Sequence, residues 1–130
     1  GLFMLISTSV NAIKYVYRAD PYPVPTREAP DLGNKLDYAF GQATGRQHSV
    51  DRSRSMLQEL EKIGIRDNAA GRSLLRENLI QAYYTPNNIL GPGKYVGQVI
   101  KESFLVGPHG FLVVQSTWQK NVLRTIMFKR

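Results

Sequence analysis

Residues 95–129 read YVGQVIKESFLVGPHGFLVVQSTWQKNVLRTIMFK, and the period of this stretch decides the fold. Tyr95–Leu105, Phe111–Trp118 and Val122–Lys129 alternate or run apolar over strand length. Gly107-Pro108-His109-Gly110 separates the first two runs and Gln119–Asn121 the last two, both short enough to be hairpin turns. Three or four antiparallel strands follow. Alternation within them puts Leu112, Val114, Ser116 and Trp118 on one face, and Phe111, Val113, Gln115 and Thr117 on the other. In the last strand the same rule groups Val122, Arg124, Ile126 and Phe128 against Leu123, Thr125 and Met127. One sheet face then carries polar groups drawn from Lys101 or Glu102, from Gln115 to Thr117, and from Arg124 or Thr125. The more ordinary meaning of such a face is simply the solvated side of a half-buried sheet.

Upstream the period is helical. Val50–Ile63 places Val50, Leu57, Leu60 and Ile63 on one side, and Gly64 is a natural stop. Asp67 or Asn68 caps a second helix reaching about Tyr83, with Leu75, Leu79, Ala82 and Tyr83 as its buried stripe. Lys35–Phe40 is a short apolar stretch, Gly41–Gln47 a loop, and Thr85–Lys94 (TPNNILGPGK) a loop of turn formers. Helices first and a sheet afterwards make an α+β domain whose helices cover one sheet face. Val10, Ile13, Val16 and Tyr17 suit one more amphipathic helix. Pro21, Pro23, Pro25 and Pro30 then break regular structure, so a boundary falls there: residues 1–33 are an N-terminal segment and Pro-rich linker, and 34–130 the main domain. The chain opens with Gly1 rather than Met, as expected of a piece cut from a longer protein.

With no cysteine among 130 residues, disulfide frameworks, zinc fingers and thiol nucleophiles are excluded. No run is apolar enough for a membrane span. The net charge is +7, which favours a polyanionic partner, although a basic surface with no such partner is the plainer alternative. Residues 101–130 alone hold Lys101, Lys120, Arg124, Lys129 and Arg130 against Glu102. The ten acids are mostly isolated, which gives little material for a magnesium site and argues against a two-metal deoxyribonuclease; no metal or cofactor is expected.

His48 and His109 are the two histidines of the chain, the residue type suited to carrying a proton near neutral pH. His109 sits in a turn. His48 lies in Arg46-Gln47-His48-Ser49-Val50-Asp51-Arg52-Ser53-Arg54, where a loop enters a helix and three arginines can hold a phosphate. The competing reading makes Ser49 or Asp51 a cap and His48 an ordinary loop residue. RNA carries its own nucleophile, the 2′-OH, so its cleavage needs a base, an acid and cations around the phosphate. His48 fits base or acid; Arg52, Lys101 or Arg124 fits charge stabilisation; Thr117 or Ser116 fits a phosphate oxygen; Trp118 can stack a base unless it is core.

In order along the chain, Lys35-Leu36-Asp37-Tyr38, His48, Arg52-Ser53, Ile63-Gly64-Ile65, Gly71-Arg72, Glu102-Ser103-Phe104, Gly107-Pro108-x-Gly110 and Ser116-Thr117-Trp118 resemble the C-terminal domains of bacterial polymorphic and contact-dependent toxins. Those domains are similar to the barnase, EndoU, colicin and RelE group: N-terminal helices on a four- or five-stranded antiparallel sheet, cutting RNA, often transfer RNA, without metal. The resemblance implies a toxin delivered from its producing bacterium into a target-cell cytoplasm and neutralised by a cognate immunity protein. On it, His48 is carried over first as catalytic, then Arg52, Glu102, Thr117 and Arg124, with Arg46, Arg54, Lys101, Ser116, Trp118 and Lys120 as RNA-binding. The same fold hosts varied catalytic sets. A non-catalytic basic module that binds nucleic acid or protein is the alternative.

Overall fold

The computed structural model describes residues 28–130, so the helix expected over residues 1–18 and most of the Pro-rich segment lie outside the described residues. Three helices, α1 (Lys35–Ala39), α2 (Gln47–Lys62) and α3 (Ala69–Tyr84), precede four strands, β1 (Ile89–Pro92), β2 (Gln98–Gly107), β3 (Gly110–Gln119) and β4 (Val122–Lys129). The strands form one antiparallel sheet in chain order, as the alternating C-terminal third requires.

The helix limits follow local chemistry. α2 begins three residues ahead of the expected Val50, so His48 stands in its first turn rather than in a loop. Neither Ser49 nor Asp51 caps it; Arg46 holds the extended N-cap position, and Gln47 Nε2 donates to Asp51 Oδ1 at 2.8 Å, closing the first turn from inside. Gly64 adopts φ +85° and ends α2 as expected. Asn68 caps α3, its side chain accepting from Gly71 N–H at 2.8 Å.

Part of the expected loop Thr85–Lys94 is a strand: β1 pairs with Val99–Lys101 through a bulge. Gly91 and Pro92 are poor strand formers, but an edge strand tolerates a residue that cannot donate to a neighbour. The β2–β3 hairpin is tied down from below, His109 N–H donating to Ile63 O at 3.0 Å. That approach requires Gly107, since a Cβ there would stand 2.2 Å from the Ile63 oxygen.

The core lies between the helices and one sheet face. Phe40, Leu60, Ile65, Leu75, Leu79 and Tyr83 meet Val99, Leu105, Leu112, Val114, Trp118, Leu123 and Ile126. Leu123 departs from its expected side: the register passes from Thr117↔Thr125 to Trp118↔Leu123, leaving Arg124 as an extra residue. A one-residue bulge reverses the phase of everything beyond it, so Leu123 and Ile126 both turn inward.

Three residues assigned to RNA belong instead to this core. Lys101 is buried, and its Nζ donates to Ala82 O at 3.2 Å, Tyr83 O at 2.9 Å and Thr85 O at 2.9 Å. A cation at a helix C-terminus meets the negative end of the dipole and carbonyls that have no intrahelical donor. Ser116 and Trp118 are buried as well, the indole N–H donating to Ser116 Oγ at 2.9 Å, and Trp118 packs 5.0 Å from the Tyr83 ring. The sequence marked these three as polar or aromatic; the structure buries all three on the inward face of the sheet. Lys101→Met removes the ammonium from the carbonyl end of α3, leaving Ala82 O with Asn88 Nδ2 as a donor; urea unfolding should show a loss of about 2–4 kcal/mol.

Candidate functional site

At the β4 edge of the sheet, α1, α2 and the bulge enclose a cavity of about 180 Å³ lined by Lys35, Tyr38, Arg52, Arg124, Thr125 and Ile126. The bulge supplies Arg124, α2 supplies Arg52, and α1 supplies Lys35 and Tyr38 one turn apart. Among the described residues no ion pair or hydrogen bond engages the side chains of Lys35, Arg52 or Arg124. Nearby acids are occupied elsewhere: Asp37 pairs with Arg72 at 2.5 Å, Asp31 accepts from Gly33 N–H at 2.9 Å, and Asp51 accepts from Gln47. Three cations around a small cavity, with no acid among its lining residues, attract an anion.

Two devices position the helical wall. Ser53, fully buried beside Arg52 in sequence, donates to Tyr38 O at 2.5 Å and accepts from Ala43 N–H at 3.1 Å, locking α1 and its loop onto α2. Arg72 bridges α1 to the start of α3: it pairs with Asp37, donates from Nε to Asp67 Oδ1 at 2.7 Å, and stacks 5.2 Å from the Phe40 ring centroid. The Arg72 guanidinium holds the Asp67 carboxyl below the ordinary aspartate range.

The five residues proposed as catalytic do not converge. Arg52 and Arg124 share the cleft. His48 stands one helical turn before Arg52 on the same side of α2, exposed, and no hydrogen bond holds its imidazole among the described residues. Thr117 faces the open side of the sheet, opposite Thr125, one strand in from the cleft. Glu102 lines a different depression, between α3 and β2, with β3 separating its strand from β4 by roughly 10 Å of sheet. Arg46, Arg54 and Lys120 are exposed, Lys120 in the β3–β4 turn at φ +54°. Sequence reasoning missed Lys35 and Tyr38; their only signal was the Lys35-Leu36-Asp37-Tyr38 run of the toxin resemblance. Among the described residues no three His, Asp or Glu side chains gather as metal ligands, and no helix is long and apolar enough to cross a membrane.

These features define a class: a small α+β domain with helices on one sheet face and a basic, anion-attracting cleft at the sheet's edge. No family model matches the sequence, and no curated protein matches it. A solved structure does: a contact-dependent growth inhibition toxin–immunity protein complex from Klebsiella pneumoniae 342 contains a chain 32% identical to this one. The match covers 78% of this chain and all of that one, with a TM-score of 0.63. The chain belongs to the contact-dependent growth inhibition toxin family.

Because the folded-state value of Asp67 is depressed, its contribution to stability is present above the unfolded aspartate value, about 3.9, and is lost as pH falls through the lower folded value. Thermal melts between pH 7 and 2 should therefore fall more steeply below about pH 4 for wild type than for Asp67→Asn, and less so at high salt because the pair is partly exposed.

Proposed function

We propose that this toxin domain cleaves RNA, transfer RNA among its candidate substrates, by 2′-OH attack without a metal, at the cleft between α1, α2 and β4. The observation that carries the reading is the set of three cations, Lys35, Arg52 and Arg124, that have no partner among the described residues and surround a cavity of about 180 Å³. A phosphodiester seated there faces two guanidinium forks and an ammonium, the groups suited to the extra charge of a five-coordinate phosphorus. The 2′-oxygen forms its bond to phosphorus while the bond from phosphorus to the 5′-oxygen breaks. A base takes the 2′ proton and an acid returns one to the leaving oxygen. His48, at the end of the cleft wall, and Tyr38, within it, are the two proton carriers assigned to these steps. The domain's excess of 7 positive charges supports a polyanionic substrate.

The likeness to a chain from a toxin–immunity complex supports an immunity protein as partner, and delivery into a target cell as the route to the substrate. One observation favours a non-catalytic basic binding module instead: His48 does not line the cavity, and among the described residues that do there is no histidine and no carboxylate.

Incubation of the protein with total bacterial RNA in EDTA separates these readings. Wild type should release discrete fragments, and Arg52→Ala or Arg124→Ala should each slow cleavage on the order of 100-fold or more. His48→Ala should lose a comparable factor. Retarded but intact RNA with wild type identifies a binding module. Binding titrations against salt should show a shallower slope for Arg124→Ala, by about 0.7 if the guanidinium contacts one phosphate of a single strand.

A further inference from the structure

The open face of the sheet carries a surface that the cleft does not use. Phe104 is 60% exposed, Val106 67%, Phe111 58% and Met127 42%. The register makes them one patch: Val106 lies opposite Phe111, Phe104 opposite Val113, and Met127 opposite Gln115. The Phe104 and Phe111 rings meet edge to face at 6.3 Å. Scattered surface apolar residues are ordinary, but a contiguous aromatic and aliphatic cluster of this kind marks an interaction site. The patch continues around the edge of the sheet. β1 covers only Val99–Lys101, so among the described residues no strand lies beside the outer edge of β2 beyond Glu102, and there a groove of about 500 Å³ runs against α3, walled by Leu74 and Leu105.

Charge identifies the kind of partner. Setting aside the bulge residue Arg124, which lines the cleft, the outward residues of β2, β3 and β4 include one anion, Glu102, and one cation, Lys129. A polyanion finds one cation offset by one anion on such a face, and so no net counter-charge, whereas a protein with an apolar centre and polar rim is matched by it. Val106 and Met127 are also aliphatic anchors that would not stack a base.

We infer that the immunity protein docks on this patch and the adjoining β2 edge, with Phe104 and Phe111 as its anchors, and is not held by the cleft cations. This rests on the reading of the chain as a toxin with an immunity partner. It separates holding from inhibition: affinity resides on the open face, and the bound protein blocks the cleft by its bulk, because Met127 and the cleft residue Thr125 lie on the same strand and the same face.

The test uses the full chain and the immunity protein encoded with it, each purified alone and joined on a biolayer interferometer. Phe104→Asp/Phe111→Asp should weaken binding on the order of 100-fold or more, and Met127→Lys, on the edge strand β4, on the order of 10-fold. Both should cleave RNA at the wild-type rate, with circular dichroism reporting the fold. Arg52→Ala and Arg124→Ala should bind the immunity protein within a few-fold of wild type. The inference is overturned if the patch variants bind normally while the cleft variants do not. It also falls if the patch variants raise KM for RNA with partner binding unchanged, which would make the face a base-stacking platform. Wild type that cleaves RNA but binds no immunity protein overturns it and leaves the catalytic reading standing. Binding lost in the patch variants from a wild type that never cleaves RNA upholds the docking site and removes the ribonuclease.

Discussion

The buried ammonium of Lys101 joins the helical half of this domain to its sheet. Among the described residues its ammonium donates to Ala82, Tyr83 and Thr85, where α3 stops and the chain turns toward β1. Burial of a charge is costly unless it is bonded, and the carbonyl end of a helix is one of the few places in a protein interior that can satisfy it. From this junction the rest is arranged: α3 lies across β2, Tyr83 is set against Trp118, and the return of the chain as β1 covers part of the β2 edge.

At the opposite edge, an irregularity does comparable work. The extra residue in β4 removes Arg124 from the inside–outside alternation of the strand. A regular strand would have set Arg124 in phase with Ile126 and so toward the core, where a guanidinium without a partner would be prohibitive. The bulge instead delivers it to the rim, beside Arg52 and across from Lys35 and Tyr38. Those groups come from two helices whose mutual position depends on buried Ser53 and on Arg72. The cleft is thus basic for two reasons: cations are brought together, and Asp37 and Asp51 are drawn away by Arg72 and Gln47. Apolar and basic functions fall on different parts of the molecule, the aromatic patch on the open face and the cation cluster where the helices meet the edge.

What the sequence by itself determined is what local spacing controls. Alternation in residues 98–129 specified the three long strands and their turns, a 3.6-residue period with Gly64 and Asn68 specified two helices, and the toxin family was legible from an ordered set of short matches. Arg52 and Arg124 were marked as site candidates on residue type and neighbourhood. Only the tertiary structure decided which candidates meet. Burial turned Lys101, Ser116 and Trp118 into framework, strand order put Glu102 on the far side of β3, and a bulge invisible to alternation changed the facing of Leu123 and Arg124. Lys35 and Tyr38 entered the cleft because a five-residue helix too short to leave a periodic signature is pinned there by Ser53 and Arg72. Periodicity is a property of neighbours along the chain, whereas a site is set by contacts between segments far apart in it, and one added residue or one buried hydrogen bond is enough to redirect those contacts.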